Sequence, residues 1–367
     1  MYLFAMVLFP VFVTFFFTSI MQEGIPEQMP IGLVDQDQTT TTRKLTRLLD
    51  AFQSTRIANH YKDVATARQA MQHGDIYGFL YFPKGTTDEL LASRQPKISF
   101  YYSYTSITAG ALVFRDLKTI STLGSAAVGS STMKAKGYTD RQIQTFLQPI
   151  VIDLHPLGNP WTNYNFYLST MLIPGCILLF VFLVTAYCLG TELKDGTARE
   201  WLATADGDIV TAMLGKMLPL TLTFLAVFFG YLFYVFYVLG FPHEGGVLSI
   251  AVLGTLTVLA AEGFGIFMFG LFPSLRMSMS MCSLFAVLSF SMVGTAFPTF
   301  AMDPALEALA NLFPLRHYFM LYQIGVLGGY PLADVWQSIC GLIVFAALPL
   351  LVLRHIGKVA RHYTYIP

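Results

Sequence analysis

Charged residues are scarce in this sequence. Asp, Glu, Lys and Arg together make up 12% of its 367 residues, whereas a soluble domain usually carries about 25%. Apolar residues make up 54% of the chain, and most of them fall in long runs without charge. This composition excludes a single soluble globular fold and is typical of a membrane protein.

Several signatures of chemistry are also missing. The four cysteines lie in apolar runs without CxxC spacing, so the sequence predicts neither a disulfide framework nor a zinc site. The histidines show no ligand spacing, and we expect no metal site and no catalytic residues on this chain. Lys and Arg balance Asp and Glu at 22 each, which argues against a nucleic-acid partner. No GxxxxGK[ST] phosphate loop is present, so an ATP-binding role is not expected here.

Six apolar runs are long enough to cross about 30 Å of hydrocarbon as helices. They cover residues 1–20, 166–190, 217–241, 247–272, 277–300 and 332–353. We interpret the first as a span rather than a signal peptide, because no basic segment precedes it and no small-residue cleavage pattern follows it. The predicted fold class is therefore a polytopic α-helical membrane protein with six transmembrane helices.

The basic residues of the short loops predict the orientation, since Lys and Arg accumulate on the cytosolic side. The loops after the second and fourth runs, together with the C-terminal tail, contain Lys194, Arg199, Lys216, Arg276, Arg354, Lys358 and Arg361. The short loops on the other side contain only Arg316. This asymmetry predicts both termini in the cytoplasm.

Residues 24–160 are long enough to form a domain with their own core. Strands are predicted at 31–34, 76–82 and 97–104, and helices at 39–52, 64–71 and, as one or two long helices, 106–146. The organisation is thus a first transmembrane helix (1–23), a mixed α/β extracytoplasmic domain (24–160) and a five-helix transmembrane region (161–367).

Asp35 and Asp37 follow the first strand of that domain. Two carboxylates two residues apart could share a cation or take part in acid–base chemistry. The same pair could equally form a turn at the end of the strand and cap the helix that follows. The turn is the interpretation that we favour.

The loop at 191–216 is the most informative polar stretch. Ala198, Trp201 and Leu202 recur at helical spacing, which predicts a short amphipathic helix with Arg199 and Glu200 on the opposite side. Such a helix lies flat at a membrane interface, where Trp201 would be the anchor. An ordinary connector with an interfacial helix would show the same pattern.

Three motifs in order along the chain resemble those of ABC-2 type export permeases. Glu192, then Gly196-Thr197, then a short helix ending in Leu202-x-Thr204, then Gly215-Lys216, is similar to that family's coupling-helix loop. Gly294-x-x-Phe297-Pro298, followed by Asn311-x-Phe313-Pro314 and Tyr318, resembles its outer loop between the last two spans. Residues 31–37 and 78–83 resemble the large domain inserted between the first two spans in one subgroup. The chain departs from the pattern after Thr204, where Ala205 replaces the usual proline.

This resemblance implies a permease subunit of an ATP-driven exporter in a bacterial inner (plasma) membrane, with residues 24–160 on the periplasmic or extracellular side. Hydrolysis of ATP with Mg would belong to a separate ABC ATPase subunit, so this chain is not itself an enzyme. The permease would pair as a homodimer, or as a heterodimer with a second permease half, and a periplasmic adaptor would carry the cargo onward. Its aromatic-rich spans suit a hydrophobic or amphipathic substrate, although contact with membrane lipids would select the same residues.

The resemblance also implies two sets of site residues. The coupling residues are Glu192, Asp195, Gly196, Thr197, Arg199, Glu200, Trp201 and Leu202. The outer-loop residues are Phe297, Pro298, Phe313, Pro314 and Tyr318. Residues 301–331, which we call the outer segment, should form two short helices that re-enter the outer leaflet, because Pro314 breaks a run too short to span.

Glu262 lies in the middle of the fourth apolar run, where a charge costs at least about 2.5 kcal/mol. It could bind substrate or carry a proton, or it could be a neutral contact between helices.

Two other functions compete with the exporter. One is a membrane-anchored receptor or surface-interaction protein that acts through its external domain. The other is a proton-coupled transporter using Glu262, which the lack of a detectable internal repeat disfavours.

Overall fold

The structure is a computed structural model that describes residues 2–92, 94–150, 153, 155, 158–160 and 162–362. The chain forms two compact units, one of Met1–Gln22 with Pro156–Pro367 and one of Glu23–His155. We call them the helical unit and the inserted domain. They are described separately below.

The elements of the inserted domain alternate strands and helices. In chain order they are β1 (Met29–Asp35), α1 (Thr40–Asp50), β2 (Thr55–His60), α2 (Val64–His73), β3 (Gly78–Phe82), α3 (Thr86–Leu91), β4 (Ser99–Tyr102), α4 (Ile107–Ala135) and α5 (Asp140–Leu147). The mixed α/β character predicted for this region is confirmed.

The sheet of the inserted domain has the strand order β2-β1-β3-β4 among the described residues. β1 pairs in parallel with both β2 and β3, and β4 runs antiparallel to β3. Leu33 lies at the centre of this arrangement, opposite His60 and Leu80. α1 and α4 contribute to the core on one face of the sheet, and α2 contributes to a second core that contains Val34 and Phe79.

The sequence analysis missed β2. Thr-Arg-Ile-Ala-Asn-His has little apolar alternation, and most of the strand is exposed at the edge of the sheet. It pairs because α1 returns the chain beside β1, a crossover that parallel strands require. The other predicted elements of this domain exist with shifted ends; the long region after β4 divides into α4 and α5 around Gly137, whose φ is +85°.

The helical unit opens with one apolar helix before the inserted domain and continues with the rest after it. The first apolar helix is a π-helical turn (Phe4–Leu8) continued by an α-helix (Phe9–Ile20). After the inserted domain come α6 (Tyr164–Lys194), α7 (Ala198–Ala203), α8 (Ile209–Phe233) with a π-helical turn (Tyr234–Val238), α9 (Gly246–Leu271) and α10 (Leu275–Met292). The last elements are α11 (Pro304–Ala310), α12 (Pro314–Leu321) with a π-helical turn (Tyr322–Leu327), α13 (Trp336–Ala347) and α14 (Pro349–His362).

Within the part of the chain that the structure describes, five helices are long and apolar enough to cross a membrane: Tyr164–Lys194, Ile209–Val238, Gly246–Leu271, Leu275–Met292 and Leu332–His362. The first apolar helix, Phe4–Ile20, is shorter than these five. The protein is therefore a mostly helical, multi-pass membrane protein with five spans of sufficient length, and the sixth span stays a prediction.

Several predicted span boundaries were wrong. α8 begins at Ile209 rather than at residue 217, because the Asp208 side chain accepts hydrogen bonds from the first free N–H groups of the helix. α10 ends at Met292 rather than at residue 300, and Gly294 follows with a φ of +99°. The last predicted span extends to His362 rather than to residue 353, and its helix is interrupted at Leu348, just before Pro349, which cannot donate a backbone hydrogen bond.

α6 and α9 form the centre of the helical unit, where about two thirds of the apolar stretch of each is buried. Glycines on α9 allow the close approach of other helices. A Cβ on Gly263 would stand 2.3 Å from the carbonyl oxygen of Phe345 on α13, and a Cβ on Gly265 would stand 2.9 Å from Cβ of Thr185 on α6. This central packing positions Glu262 between helices.

Candidate coupling loop and buried carboxylate

The short helix α7 is held on one side by a hydrophobic core. Ala198 and Leu202 are buried there, together with residues of α6, α8, α9 and α14. Ala198 and Leu202, which the apolar spacing placed on one face of the helix, are thus buried together. Gly196, with a φ of +77°, makes the tight turn that separates α7 from the end of α6.

Glu192 connects the two long helices on either side of α7. Its carboxylate accepts hydrogen bonds from the Thr197 hydroxyl, in the turn before α7, and from Nζ of Lys216 on α8. Both charged side chains are largely covered, with 19% of the Glu192 side chain and 17% of the Lys216 side chain exposed. The predicted coupling residue Glu192 is therefore an internal brace rather than an exposed contact.

Trp201 also faces inward. Its indole Nε1 donates to the carbonyl oxygen of Ala212 on α8 at 3.3 Å, and Nζ of Lys216 lies 5.3 Å from its ring centroid, within cation–π range. These contacts hold α7 against α8. The sequence analysis treated Trp201 as an anchor in the membrane interface, and the structure gives its polar edge a partner within the protein instead.

Two arginines connect the loop to the C-terminal helix α14. Nε of Arg199 donates to the carbonyl oxygen of Arg361 at 2.9 Å, and Nη2 of Arg361 donates to the carbonyl oxygen of Gly207 at 2.9 Å. The first contact starts on α7 itself, and the second reaches the turn after it. The loop is thereby fastened to α6, α8 and α14.

The face of α7 opposite its buried residues is exposed and charged. Asp195, Arg199 and Glu200 are exposed, and neither carboxylate forms a salt bridge within the described part of the chain. Asp208 is exposed at the start of α8, and hydrogen bonds from the Thr211 side chain and from backbone N–H groups hold the pKa of its carboxyl below the usual value. The predicted coupling residues thus form two groups. Glu192, Thr197, Trp201 and Leu202 hold α7 against the protein, and the exposed charged residues face outward.

Glu262 is 4% exposed in the middle of α9. Its Oε2 accepts a hydrogen bond from the Thr221 hydroxyl on α8 at 2.6 Å, and the same hydroxyl lies 3.0 Å from the carbonyl oxygen of Met217. Because a hydroxyl carries one proton, both acceptors would be fully satisfied only if Glu262 were protonated and donated to Thr221. Oε1 of Glu262 has no hydrogen-bond partner among the described residues.

The outer-loop residues divide into two groups. Phe313, Pro314 and Tyr318 are buried, and the Tyr318 hydroxyl donates to the carbonyl oxygen of Thr170 on α6 at 3.1 Å. Phe297 and Pro298 are exposed, before α11. The outer segment contains the two short helices that the sequence predicted, α11 and α12, of which α12 packs into the core of the helical unit.

Asp35 and Asp37 form a turn. Asp35 accepts hydrogen bonds from the backbone of Asp37 and Gln38 and from the Thr42 hydroxyl, and Asp37 accepts from Gly85 and Thr87. The helix cap is Thr39 rather than either aspartate. Within the residues that the structure describes, no group of three His, Cys, Asp or Glu side chains is arranged to hold a metal ion.

Sequence reasoning missed the partners of the site residues. It noted Lys216 as a basic residue and as the end of the coupling-loop motif, without a partner, noted Arg361 only as a basic residue that sets orientation, and did not single out Thr221. A lysine beside the third apolar run and a threonine within it are only a weak signal for buried polar partners. Nothing in the local pattern connects Arg199 with Arg361, which lies on a different helix.

A bundle of membrane-length helices around buried polar side chains defines a polytopic membrane protein. Residues 1–353 match the family described as ABC-2 family transporter protein, and the chain belongs to that family. It is thus an ABC-2 type permease, a membrane subunit for transport rather than a catalytic one. No curated protein and no solved structure matches the chain.

Proposed function

We propose that this permease is the membrane half of an ATP-driven exporter and that α7 is the element through which the ATPase acts. The attachment of α7 supports this most directly. α7 is attached to α6 and α8 through Thr197, which binds the Glu192–Lys216 ion pair, and through the Trp201 indole. Arg199 attaches it to α14, and the carboxylates of Asp195 and Glu200 remain exposed.

A separate ABC ATPase subunit, which would bind ATP and Mg, is the proposed partner for the exposed face. Asp195, Arg199 and Glu200 would meet complementary charges on that subunit. A push on α7 would reach α6 and α8 together, because the braces allow little independent movement. Rigid-body tilting of the helices is the type of motion that such an attachment favours.

The permease would act as a homodimer or as a heterodimer with a second permease half, because closed symmetric pairing is the usual way to complete a pathway. A hydrophobic or amphipathic cargo is supported by an open groove of about 470 Å³ between the first apolar helix and α8. Its walls are mostly aliphatic and aromatic, with hydroxyls from Thr14, Thr223 and Tyr231. The proposed direction of transport is outward.

The proposed coupling surface can be tested by co-purification of the ATPase with a tagged permease. Glu200→Lys reverses an exposed charge on α7, and Glu244→Lys reverses an exposed charge in the loop before α9 as a matched control. We expect the first variant to lose most of the bound ATPase and the second to retain it. Trp201→Ala should also weaken the complex by loosening α7, with normal membrane insertion. Unchanged binding and transport in both α7 variants would refute the coupling assignment.

The proposed location is a bacterial inner membrane, with both termini in the cytoplasm and residues 24–160 on the periplasmic or extracellular side. The excess of basic residues in the coupling loop and in α14 supports this orientation. The inserted domain would then be available to a periplasmic adaptor that receives the cargo.

An introduced cysteine tests this orientation. Among the four cysteines Cys340 is the exposed one, so Cys340→Ser is the background that excludes its reaction. In that background Gln95→Cys, at an exposed position of the inserted domain, should react with an impermeant thiol reagent added to cells with a permeabilised outer membrane. Asp206→Cys, beside α7, should react only after lysis. The reverse pattern would invert the proposed topology.

A further inference from the structure

Two adjoining cavities lie in the helical unit at the end of α6 remote from the coupling loop. One, of about 250 Å³, is lined by Phe166, Thr170 and Tyr322, and the other, of about 350 Å³, by Arg316 and residues 293–295 and 298–300. They share Tyr167, Phe319 and Gln323 as walls. α6 has 31 residues and so is about 45 Å long, which separates these cavities from α7.

Tyr322 is the first unusual feature of this region. It is 2% exposed, and its hydroxyl has no hydrogen-bond partner among the residues described. The nearby Thr170 hydroxyl, which donates to the carbonyl oxygen of Phe166 at 2.9 Å, does not meet the geometry of a hydrogen bond with Tyr322. A buried hydroxyl without a partner is energetically unfavourable, and Tyr322 lines a cavity that could hold an acceptor.

Tyr322 also begins a π-helical turn, Tyr322–Leu327. Such turns are rare and occur frequently at functional sites. The same turn carries Gln323, whose side chain is exposed at the wall between the two cavities and makes no hydrogen bond within the described residues. The turn therefore supplies two uncommitted polar groups to the cavities.

Arg316 is the second unusual feature. It is half-buried, and its Nη1 donates to the carbonyl oxygen of Val293 at 2.8 Å. No carboxylate of the described residues lies within salt-bridge distance of it, although Glu307 lines the same cavity. The remaining N–H groups of the guanidinium are free to bind an anion, and its planar geometry suits a carboxylate or a phosphate.

The wall between the cavities is aromatic. Phe319 is buried, and the Tyr167 ring is held in place because its hydroxyl donates to the carbonyl oxygen of Thr295 at 2.5 Å. Phe166 and Phe319 both lie beside the Tyr322 ring, with centroids 6.5 Å and 6.3 Å away. An apolar wall with a few convergent polar groups is the usual composition of a small-molecule site.

We propose that the two cavities together form a binding site for an acidic amphiphile. The acid group, a carboxylate or a phosphate, binds Arg316, the apolar part lies against Phe319 and Tyr167, and a polar atom of the ligand accepts a hydrogen bond from Tyr322. The role of this site rests on the proposed export function, since the site would hold the cargo before its release. The ligand chemistry is shared by a free acidic amphiphile and by an anionic phospholipid of the membrane.

Binding can be measured on the purified full-length permease in phosphatidylcholine nanodiscs without any ATPase. The probes are dodecanoate and dodecanol at mildly alkaline pH, with protein-free nanodiscs to correct for partition into lipid. We expect dodecanoate to bind at least tenfold more tightly than dodecanol, because only the acid can pair with Arg316. Equal corrected affinities for the two probes would overturn the proposal.

Two variants locate the site. Arg316→Gln retains an N–H donor for the Val293 carbonyl but removes the charge, and should weaken dodecanoate binding about tenfold with little effect on dodecanol. Tyr322→Phe should weaken dodecanoate binding several-fold and leave the unfolding temperature unchanged or higher, because it removes an unpartnered hydroxyl. Arg276→Gln, at an exposed arginine in the first turn of α10, is the charge control. Unchanged dodecanoate binding in both Arg316→Gln and Tyr322→Phe would also overturn the proposal.

Phosphatidylglycerol distinguishes the two sources of ligand. If its addition to the nanodiscs abolishes the Arg316-dependent binding of dodecanoate, the natural occupant is an anionic phospholipid; if the binding persists, it is a free acidic amphiphile. Either result supports the site. Because no ATPase is present, loss of this binding leaves the coupling assignment intact, and failure of the ATPase co-purification leaves this binding measurable.

Discussion

Lys216, on α8, donates a hydrogen bond to the carboxylate of Glu192, in the last turn of α6, and so connects the two helices on either side of the coupling helix α7. The Thr197 hydroxyl donates to the same carboxylate, which ties the start of α7 to this pair. Because both charged side chains are mostly covered, water and salt screen the pair less than they screen an exposed one.

The first prediction concerns this ion pair. Glu192→Gln and Lys216→Met should each lower the free energy of unfolding, and a double-mutant cycle should give a coupling energy of about 1 kcal/mol, at the upper end for exposed pairs. ATPase co-purification should fall in both single variants. The exchange Glu192→Lys with Lys216→Glu keeps one charge of each sign and should recover part of the loss. No coupling in the cycle would mean that the pair does not brace the loop.

The second prediction concerns Glu262. Glu262→Gln keeps the size of the side chain and can donate an amide proton to Thr221, whereas Glu262→Leu removes all polar atoms. Thr221 keeps the Met217 carbonyl as an acceptor in both variants, so neither should change the free energy of unfolding by more than about 1 kcal/mol. Oε1 of Glu262 is buried and has no hydrogen-bond partner among the described residues, so neither variant loses a hydrogen bond at this atom.

If Glu262 acts in transport, Glu262→Gln should alter the rate or its pH dependence while expression and dimerisation stay normal. The measurement is transport by reconstituted permease and ATPase across a mildly acidic to mildly alkaline pH series. Equal transport by the wild type and the Gln variant at every pH would assign Glu262 to helix packing alone.

The third prediction concerns the glycines of the helical unit. A Cβ on Gly263 would stand 2.3 Å from a backbone oxygen of α13, which cannot move aside as a side chain could, whereas a Cβ on Gly215 would have no atom within 4 Å. Gly263→Ala should destabilise the protein by about 1–3 kcal/mol. Gly215→Ala should be neutral or stabilise α8 by up to about 1 kcal/mol. Reversible unfolding in detergent compares the two, and equal effects would contradict the close packing of α9 on α13.

The fourth prediction concerns pH and Asp37 in the inserted domain. Partial burial raises the pKa of this carboxyl, but hydrogen bonds from Thr87, Thr39 and Gly85 outweigh it, so its pKa lies below the usual 3.8. Since the folded state has the lower pKa, the stabilisation is complete above about pH 3.8 and is lost as the pH falls through the folded value.

Hydrogen exchange of the full-length protein should therefore show the backbone around Asp37 and Thr87 opening more readily in acid. Asp37→Asn should lower local protection at neutral pH by about 1 kcal/mol, through loss of hydrogen bonds to a charged group, and should reduce the acid dependence. Asp75→Asn changes an exposed aspartate without a side-chain hydrogen bond in the described region and serves as the control. An identical acid response in all three proteins would show that Asp37 does not control this opening.

The spans could be predicted from the sequence because the requirement is local. A helix in lipid must be apolar over about 20 consecutive residues, and a run such as 247–272 shows this without knowledge of its neighbours. The ends of the spans were less predictable. Whether residues 209–216 extend a helix depends on the cap at Asp208 and on the core around Met213 and Ile356, which the apolar pattern does not report.

The amphipathic spacing of Ala198 and Leu202 likewise determined which face of α7 would be buried. The sequence could not determine that Trp201 meets Ala212 and Lys216, or that Glu192 points inward, because both depend on the approach of α6 to α8. The same limit applies in the inserted domain, where the polar strand β2 becomes a strand only through its pairing with β1.

The sequence by itself determined that this chain is a multi-pass membrane protein, that a folded domain interrupts its apolar helices, and that its motifs are those of the ABC-2 permeases. Only the tertiary structure decided which polar groups meet: Glu262 with Thr221, Arg199 with Arg361, and Arg316 with the carbonyl oxygen of Val293. The reason is physical. Hydrophobic periodicity specifies a face of one helix, whereas a polar contact depends on the rotation and depth of two helices, which the packing of the whole core sets.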